Sequence, residues 1–251
     1  VLLSNLKIVP KIEIRFFTNS EIIKHTRKKN IFNYFKLSLV KETIPINSRT
    51  FDFIKENKNE ITENQIVLLD EMLNTPQWSN LRKPIDNEKI NNHYSRLTKL
   101  LKNLSETYNK KIVICIHPKD DINIKKKYFQ GFDVVQHKTR ENIFKSFLVL
   151  FFESSAIMDA FMLNKKVATI FSKIMDQNQI DFGMNYCNEA GVIAIDIDKN
   201  LNFEKNDFLQ QLEKAKKNYS NYINKYIAPD DDNLGYKKII KILNERFFCN
   251  L

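Results

Sequence analysis

KIVICIHP (residues 111–118) and FLVLFFESS (residues 147–155) are the two stretches that decide the fold of this chain. In the first, the apolar run Ile112–Ile116 ends at His117 and Pro118. In the second, the run 147–152 ends at Glu153, Ser154 and Ser155 and leads into a helical pattern. Short, continuously apolar runs rich in Ile, Val, Leu and Phe are the mark of parallel strands covered on both faces. Both runs stop at polar groups suited to holding a phosphate. Ligands in open α/β sheets bind beyond the carboxyl ends of the strands, so two such ends in one sheet point to a nucleotide site.

Working outward, Ile66–Leu69 is a third apolar run, ending at Asp70 and Glu71. After a polar loop with Pro76, Trp78 and Pro84, Asp86 or Asn87 can cap a helix from Glu88 to about Tyr108. Ile90, Tyr94, Leu97, Leu100, Leu101 and Leu104 share one of its faces. Further strands are expected at 132–135, 166–171 and 192–195. A short helix is expected from Arg140 to Lys145 after a Thr139 cap, and another from Ser155 to Leu163. A loop is expected up to Gly191, and closing helices at 204–226 and 234–247. Strands alternating with helices at this rhythm give βαβ units, a parallel sheet and helices on both faces. The expected class is therefore α/β with a Rossmann-like parallel sheet over residues 63–251.

Residues 1–62 read as a partial N-terminal region and linker. Ile12–Phe16 alternates like a strand, Glu21–Leu39 has the pattern of a basic helix, Pro45 breaks the chain, and Phe51–Ile61 is a short helix or a linker. The chain opens on Val1 rather than Met, and residues are expected to precede it.

The chain has 251 residues, 43% of them hydrophobic, enough for a sizeable core, and a net charge of +10. Its lysines are spread along the whole length, and the basic clusters at 27–29 and 125–127 are short, so nucleic acid is not an expected partner. A basic face suits an anionic membrane surface or an anionic substrate instead. The three cysteines lack metal-ligand spacing and suit a reducing cytoplasm. There is no GxGxxG and no Walker pattern, which argues against ordinary dinucleotide binding and P-loop hydrolysis.

Each candidate site residue also has an ordinary structural role open to it. His117, held in an extended exit by Pro118, can donate Nε2–H to a phosphate oxygen, or can be a strand-end histidine bonded to a carbonyl. Lys119 adds positive charge in either case. Ser154 and Ser155 can cap the next helix and, with its free N–H groups, hold an anion. Glu153 can bind a ribose or sugar hydroxyl, or stand in solvent. Asp70 or Glu71 can act as general base, bind sugar hydroxyls, or cap a turn. Asp230–Asp232 suits helix capping better than metal binding, because three adjacent acids point in different directions.

The order IVLLDE, helix, KIVICIHPKDD, ENIFKSFLVLFFESSAIMDAFMLNKKVATI and closing helix resembles bacterial surface-polysaccharide glycosyltransferases of the GT-B type with His-Pro and Ser-Ser motifs. Sialyl- and Kdo-transferases that use CMP-activated sugars are in this group. Transferases that use CDP-glycerol share a similar layout. The resemblance covers residues 66 to about 245 and makes this the C-terminal, nucleotide-binding half. It implies His117 on the nucleotide phosphate, and Ser154 and Ser155 on the same phosphate or the cytidine ribose. Pro118, Lys119 and Glu153 complete the nucleotide-binding set, and Asp70, Glu71 and His117 are the catalytic candidates. The implied partners are a nucleotide-sugar donor, CMP-linked, and a capsule or lipopolysaccharide acceptor; the basic charge adds peripheral association at the inner membrane as an expectation. No cofactor or metal is expected, since protein donors replace the cation. The family's catalytic base usually lies in the N-terminal half, and residues 1–60 match none. That leaves a fragment of a longer enzyme or a protein that has lost activity. At Lys165-Lys166-Val167 the family's proline is missing. Two further readings stay open: transfer of a polyol phosphate, and a non-catalytic partner of a polysaccharide assembly at the membrane.

Overall fold

The computed structural model describes residues 12–18, 40–57, 61–73, 84–199, 204–229 and 232–248. It divides into two compact units. One comprises residues 1–58 with 220–251, and the other residues 59–219.

In the first unit, β1 (Ile12–Phe17) and β2 (Val40–Pro45) pair in parallel. Helix α1 (Arg49–Glu56) follows, capped by Ser48, whose hydroxyl accepts the Phe51 N–H. In the second unit the elements run as follows: β3 (Gln65–Leu69), α2 (Asn87–Tyr108), β4 (Lys111–Ile116), α3 (Ile122–Tyr128), β5 (Asp133–Gln136), α4 (Thr139–Phe144), β6 (Ser146–Phe151), α5 (Ile157–Met162), β7 (Lys166–Phe171), α6 (Gln177–Ala190), β8 (Ile193–Asp196) and α7 (Lys205–Lys216). Helices α8 (Tyr219–Tyr226) and α9 (Gly235–Leu243) close the chain, the latter running into a π turn at Asn244–Phe248.

Six strands form one all-parallel sheet in the order β5-β4-β3-β6-β7-β8. The chain starts at β3 in the middle, winds outward through β4 and β5, then crosses to β6 and winds outward the other way. The reversal falls between β3 and β6, which is the topological switch point where open α/β sheets bind ligands. Alternate residues serve opposite faces. Ile66, Leu68, Ile112, Ile114, Leu148, Leu150, Ala168 and Ile170 form one core with the apolar face of α2 and with Phe208 and Leu212 of α7. On the other face, Phe151 meets Tyr186 edge-on, and Phe161 packs against Tyr186 and Tyr219. The Rossmann-like α/β class expected from the sequence is what the chain adopts.

Helix α2 follows the expected pattern. Asp86 accepts the Glu88 N–H, and Asn109 ends the helix in the left-handed region at φ 50°.

Several local expectations change. The stretch before Gly191 is not a loop but the 14-residue helix α6. A reciprocal capping box between Asp176 and Gln179 starts it, and Gly191 ends it. Its sequence hides this because Gly183 interrupts the pattern. That glycine is there for close approach, since a Cβ would come within 2.7 Å of the Phe171 ring on β7. Helix α3 was hidden in a lysine run. Thr139 is the first residue of α4 rather than its cap, and Lys138 in the cap position makes no side-chain capping bond. The expected helix 204–226 breaks at Lys217–Asn218 into α7 and α8.

Asp230 and Asp231 lie outside the described residues, as do the 21–39 helix, the loop with Pro76 and Trp78, His25 and Cys249. Asp232 pairs with Lys55 at 2.8 Å. The first N–H groups of α9 go to Asp52 instead, whose two carboxylate oxygens accept from Gly235 and Tyr236 at 2.7 and 3.1 Å. A carboxylate from α1 thus does the capping that the acidic triplet suggested.

Candidate functional site

Because β4, β3 and β6 are parallel neighbours, the segments after them leave the sheet along one edge. Leu69 is level with Cys115 on one side and with Phe151 on the other. His117, Asp70–Glu71 and Glu153–Ser155 therefore follow three adjacent strand ends, with β3 in the middle. Two strand spacings, about 10 Å of backbone, separate the outer pair.

His117 is exposed, and among the described residues its ring has one fixed partner. The Lys119 N–H donates to Nδ1 at 3.1 Å. With Nδ1 an acceptor, the neutral ring carries its proton on Nε2, which makes that atom a donor. The loop turns tightly, the Asp120 N–H donating to the His117 carbonyl at 3.0 Å. Pro118 and Lys119 are exposed within it.

Ser154 is half-buried and Ser155 exposed, with Glu153 exposed before them. Three N–H groups at this turn, those of Ala156, Ile157 and Met158, are already used. Ser154 Oγ accepts from Ala156 at 3.3 Å, while the carbonyls of Ser154 and Ser155 accept from Ile157 and Met158 at 3.3 and 3.2 Å. Helix α5 is only six residues long and adds little dipole. The helix-terminus part of the anion-site expectation therefore cannot draw on these three N–H groups. What the two serines offer a ligand includes their hydroxyls.

Asp70 and Glu71 are also not placed as expected for a solvent-facing base. Both are buried, at 7% and 5% exposure. Asp70 Oδ2 accepts from Lys125 Nζ at 2.5 Å, and the Glu71 carbonyl accepts from the same ammonium at 2.6 Å. Lys125, only 2% exposed, also reaches the Tyr94 hydroxyl and lies 3.2 Å from Asp120 Oδ2. Burial works against charge at this cluster and pushes the Asp70 carboxyl up. Lys125 nonetheless sits above the ordinary lysine value, because Asp70 and Asp120 together outweigh its own desolvation. The Glu71 carboxylate accepts from Gln179 at 2.8 Å and faces His93 Nε2 at 3.7 Å, while His93 Nδ1 meets Ser172 Oγ at 3.1 Å. These groups make a polar floor beneath the edge, joining β3, α2, α3, α6 and the His117 loop.

Sequence reasoning missed Lys125, His93, Tyr94, Gln179 and Ser172 as members of this floor. Spacing carried a signal for two of them. Lys125 lies three residues after Ile122 and four before Phe129. His93 lies three after Ile90 and four before Leu97, on the apolar stripe of α2. Of the other reactive groups, Cys115 is buried and its thiol pushed up to about 12 by desolvation, which makes it a packing residue. Among the described residues no group of His, Cys, Asp and Glu is arranged to hold a metal ion.

His93 carries a pH prediction. Burial first, then the nearby Lys125 charge, lowers its pKa to about 4, whereas an unfolded histidine titrates near 6.5. Between those values the unfolded chain binds more protons, so stability falls as pH falls. Urea unfolding from pH 7 down to pH 4 is expected to show a loss of up to about 3 kcal/mol in the native chain that His93→Gln does not share. Parallel stability curves for the two proteins would exclude this.

No protein-family model matches the chain, and no curated protein matches it. Solved structures match in fold. The chain is similar to the wall teichoic acid polymerase TagF at 12% identity and a TM-score of 0.54, over 93% of this chain and 58% of that one. It is also similar to UDP-GlcNAc 2-epimerase of Methanocaldococcus jannaschii, at 12% identity and a TM-score of 0.46, over 97% of this chain and 71% of that one. A third similarity is to MurG of Acinetobacter baumannii, at 10% identity and a TM-score of 0.45, over 97% and 68%. At these identities the likeness is one of fold. The chain spans 58% of the TagF structure's length.

Proposed function

We propose that this chain is the donor-binding half of a nucleotide-sugar-dependent glycosyltransferase that uses a CMP-linked sugar and delivers it to a bacterial surface polysaccharide or lipooligosaccharide. The nucleotide phosphate lies along the carboxyl edge at the switch point. The His117 Nε2–H donates to a phosphate oxygen, and the hydroxyls of Ser154 and Ser155 donate to the same phosphate or to the ribose. Lys119 adds positive charge at the mouth, and Glu153 accepts from a sugar hydroxyl. As the anomeric carbon passes from phosphate to acceptor oxygen, the acceptor hydroxyl gives its proton to a general base, the phosphate leaves with the electron pair of the broken bond, and donors already in place stabilise its charge. Asp70 and Glu71 support this edge from beneath.

The observation that carries the reading is His117 itself. It is an exposed imidazole whose Nδ1 is occupied by Lys119, so Nε2–H is the ring's donor, and it follows a central strand end. A second reading, transfer of a polyol phosphate from CDP-glycerol, draws support from the likeness to TagF, one structure of which was soaked with CDPG. In either case the net charge of +10 suits work at an anionic membrane surface.

Calorimetric titration of the full chain with CMP, CDP and UDP tests these readings. Binding of CMP is expected. CDP binding without CMP binding would move the assignment to polyol-phosphate transfer. If no nucleotide binds but anionic liposomes do, more weakly as salt rises, the chain is a non-catalytic membrane partner.

A further inference from the structure

The loop that carries His117 is fastened from two sides, and neither fastening touches the exposed ring. From beneath, Lys125 grips Asp120, whose Oδ2 lies 3.2 Å from Nζ. The same ammonium holds Asp70 Oδ2 and the Glu71 carbonyl, so one buried charge ties the loop to the end of β3. Asp120 Oδ1 also accepts the Asp121 N–H at 2.9 Å, which sets the carboxylate's orientation. From the flank, the Gln136 amide at the end of β5 lies within hydrogen-bond distance of three loop carbonyls. Those of His117, Pro118 and Asp120 are 3.2, 3.1 and 3.0 Å from Nε2.

An exposed histidine on an unfastened loop would sample several rotamers and both neutral tautomers. Here the Lys119 N–H can select one tautomer only while the turn 117–119 keeps its shape. That shape depends on the backbone bond from Asp120 to His117 and on the two side-chain fastenings.

We infer that Asp120 and Gln136 are positioning residues that set where the His117 Nε2–H points, with Lys125 as the anchor for Asp120. The consequence for nucleotide affinity rests on the reading of His117 as the phosphate donor; the effect on the ring does not. A donor held in place before the ligand arrives spares the ligand the cost of ordering it. Loosening the loop should therefore weaken binding without unfolding the domain.

The test uses the full chain and two variants. Asp120→Asn keeps the side-chain shape and removes the charge that Lys125 grips. Gln136→Leu removes the amide. The ring nitrogens of His117 are followed by nitrogen-15 NMR at about pH 8.5, above the ordinary histidine range, and identified by their loss in His117→Ala. Each variant is expected to move both ring signals from those of a fixed Nε2–H tautomer toward averaged values. The melting midpoint should stay within a few degrees, and CMP or CDP affinity should fall about tenfold. Ring signals unchanged in both variants overturn the inference. A change in only one confines the role to that residue. If the native chain binds no nucleotide, the transferase reading fails while the ring signals still decide the positioning role. Should Asp120→Asn not fold, Gln136→Leu alone decides it.

Discussion

Replacing His117 by alanine is expected to lower turnover about 100-fold while leaving the melting midpoint nearly unchanged. The two effects separate because of where the residue sits. Its ring is exposed, and among the described residues it takes a single local bond, from the Lys119 N–H. The loop's own fastenings run through Asp120 and Gln136, not through the ring. On the proposed transferase reading, the loss of turnover comes from the leaving group. A phosphate departing from a sugar gains charge in the transition state, and removing one donor aimed at such charge typically costs about 2.7–4 kcal/mol in the barrier. Initial rates with a CMP-linked donor, alongside thermal melts of both proteins, check this. His117→Gln should restore part of the rate if hydrogen-bond donation is the role. Unchanged transfer by His117→Ala would remove the residue from the mechanism.

Lys125→Ala should act in the opposite sense, on the fold first. It is expected to cost about 3–5 kcal/mol of stability, because it leaves two carboxylates buried without their cation. Lys125 is 2% exposed and Asp70 7%, so water does not readily take over the lost contacts. Much less should be lost when Asp70 and Asp120 are neutralised together with the lysine, since replacing a whole buried charge set is far less costly than breaking it. Urea denaturation of the single and combined variants distinguishes the two cases. The pH dependence follows from the direction of the lysine's shift. Its folded pKa is raised, so its contribution is full below the ordinary lysine value and is lost as pH rises through the folded one. The difference between native and variant stability should therefore narrow only at strongly alkaline pH. Equal stabilities at neutral pH would show that the cluster does not depend on its cation.

The parallel sheet was legible because its central strands are buried on both faces. Their sequences IVLL, IVICI and FLVLF have no polar alternation that would suit a half-exposed strand. Helix α2 was legible for the same kind of reason, its apolar stripe being complete and its ends marked by Asp86 and Asn109. What failed was local and had identifiable causes. Helix α6 was hidden because Gly183 serves contact with Phe171 rather than helix propensity. Helix α3 was hidden because two of its three consecutive lysines face solvent while the third is buried.

From residue order alone one could name the strand ends, and with them His117, Asp70, Glu71, Ser154 and Ser155. In a parallel sheet every strand end lies on one edge, so naming the strands already names the edge. Strand order, burial and charge partners at that edge were decided by the tertiary structure. The crossover from β5 to β6 put β3 in the middle and made its two acids part of a floor. Which lysine of three would turn inward depended on contacts between residues far apart in the chain, Lys125 meeting Asp70 and the Tyr94 hydroxyl. A carboxylate in a sequence can be a base, a cap or a buried counter-ion. Only the groups that fold around it, here Lys125 for Asp70 and Gln179 for Glu71, decide which.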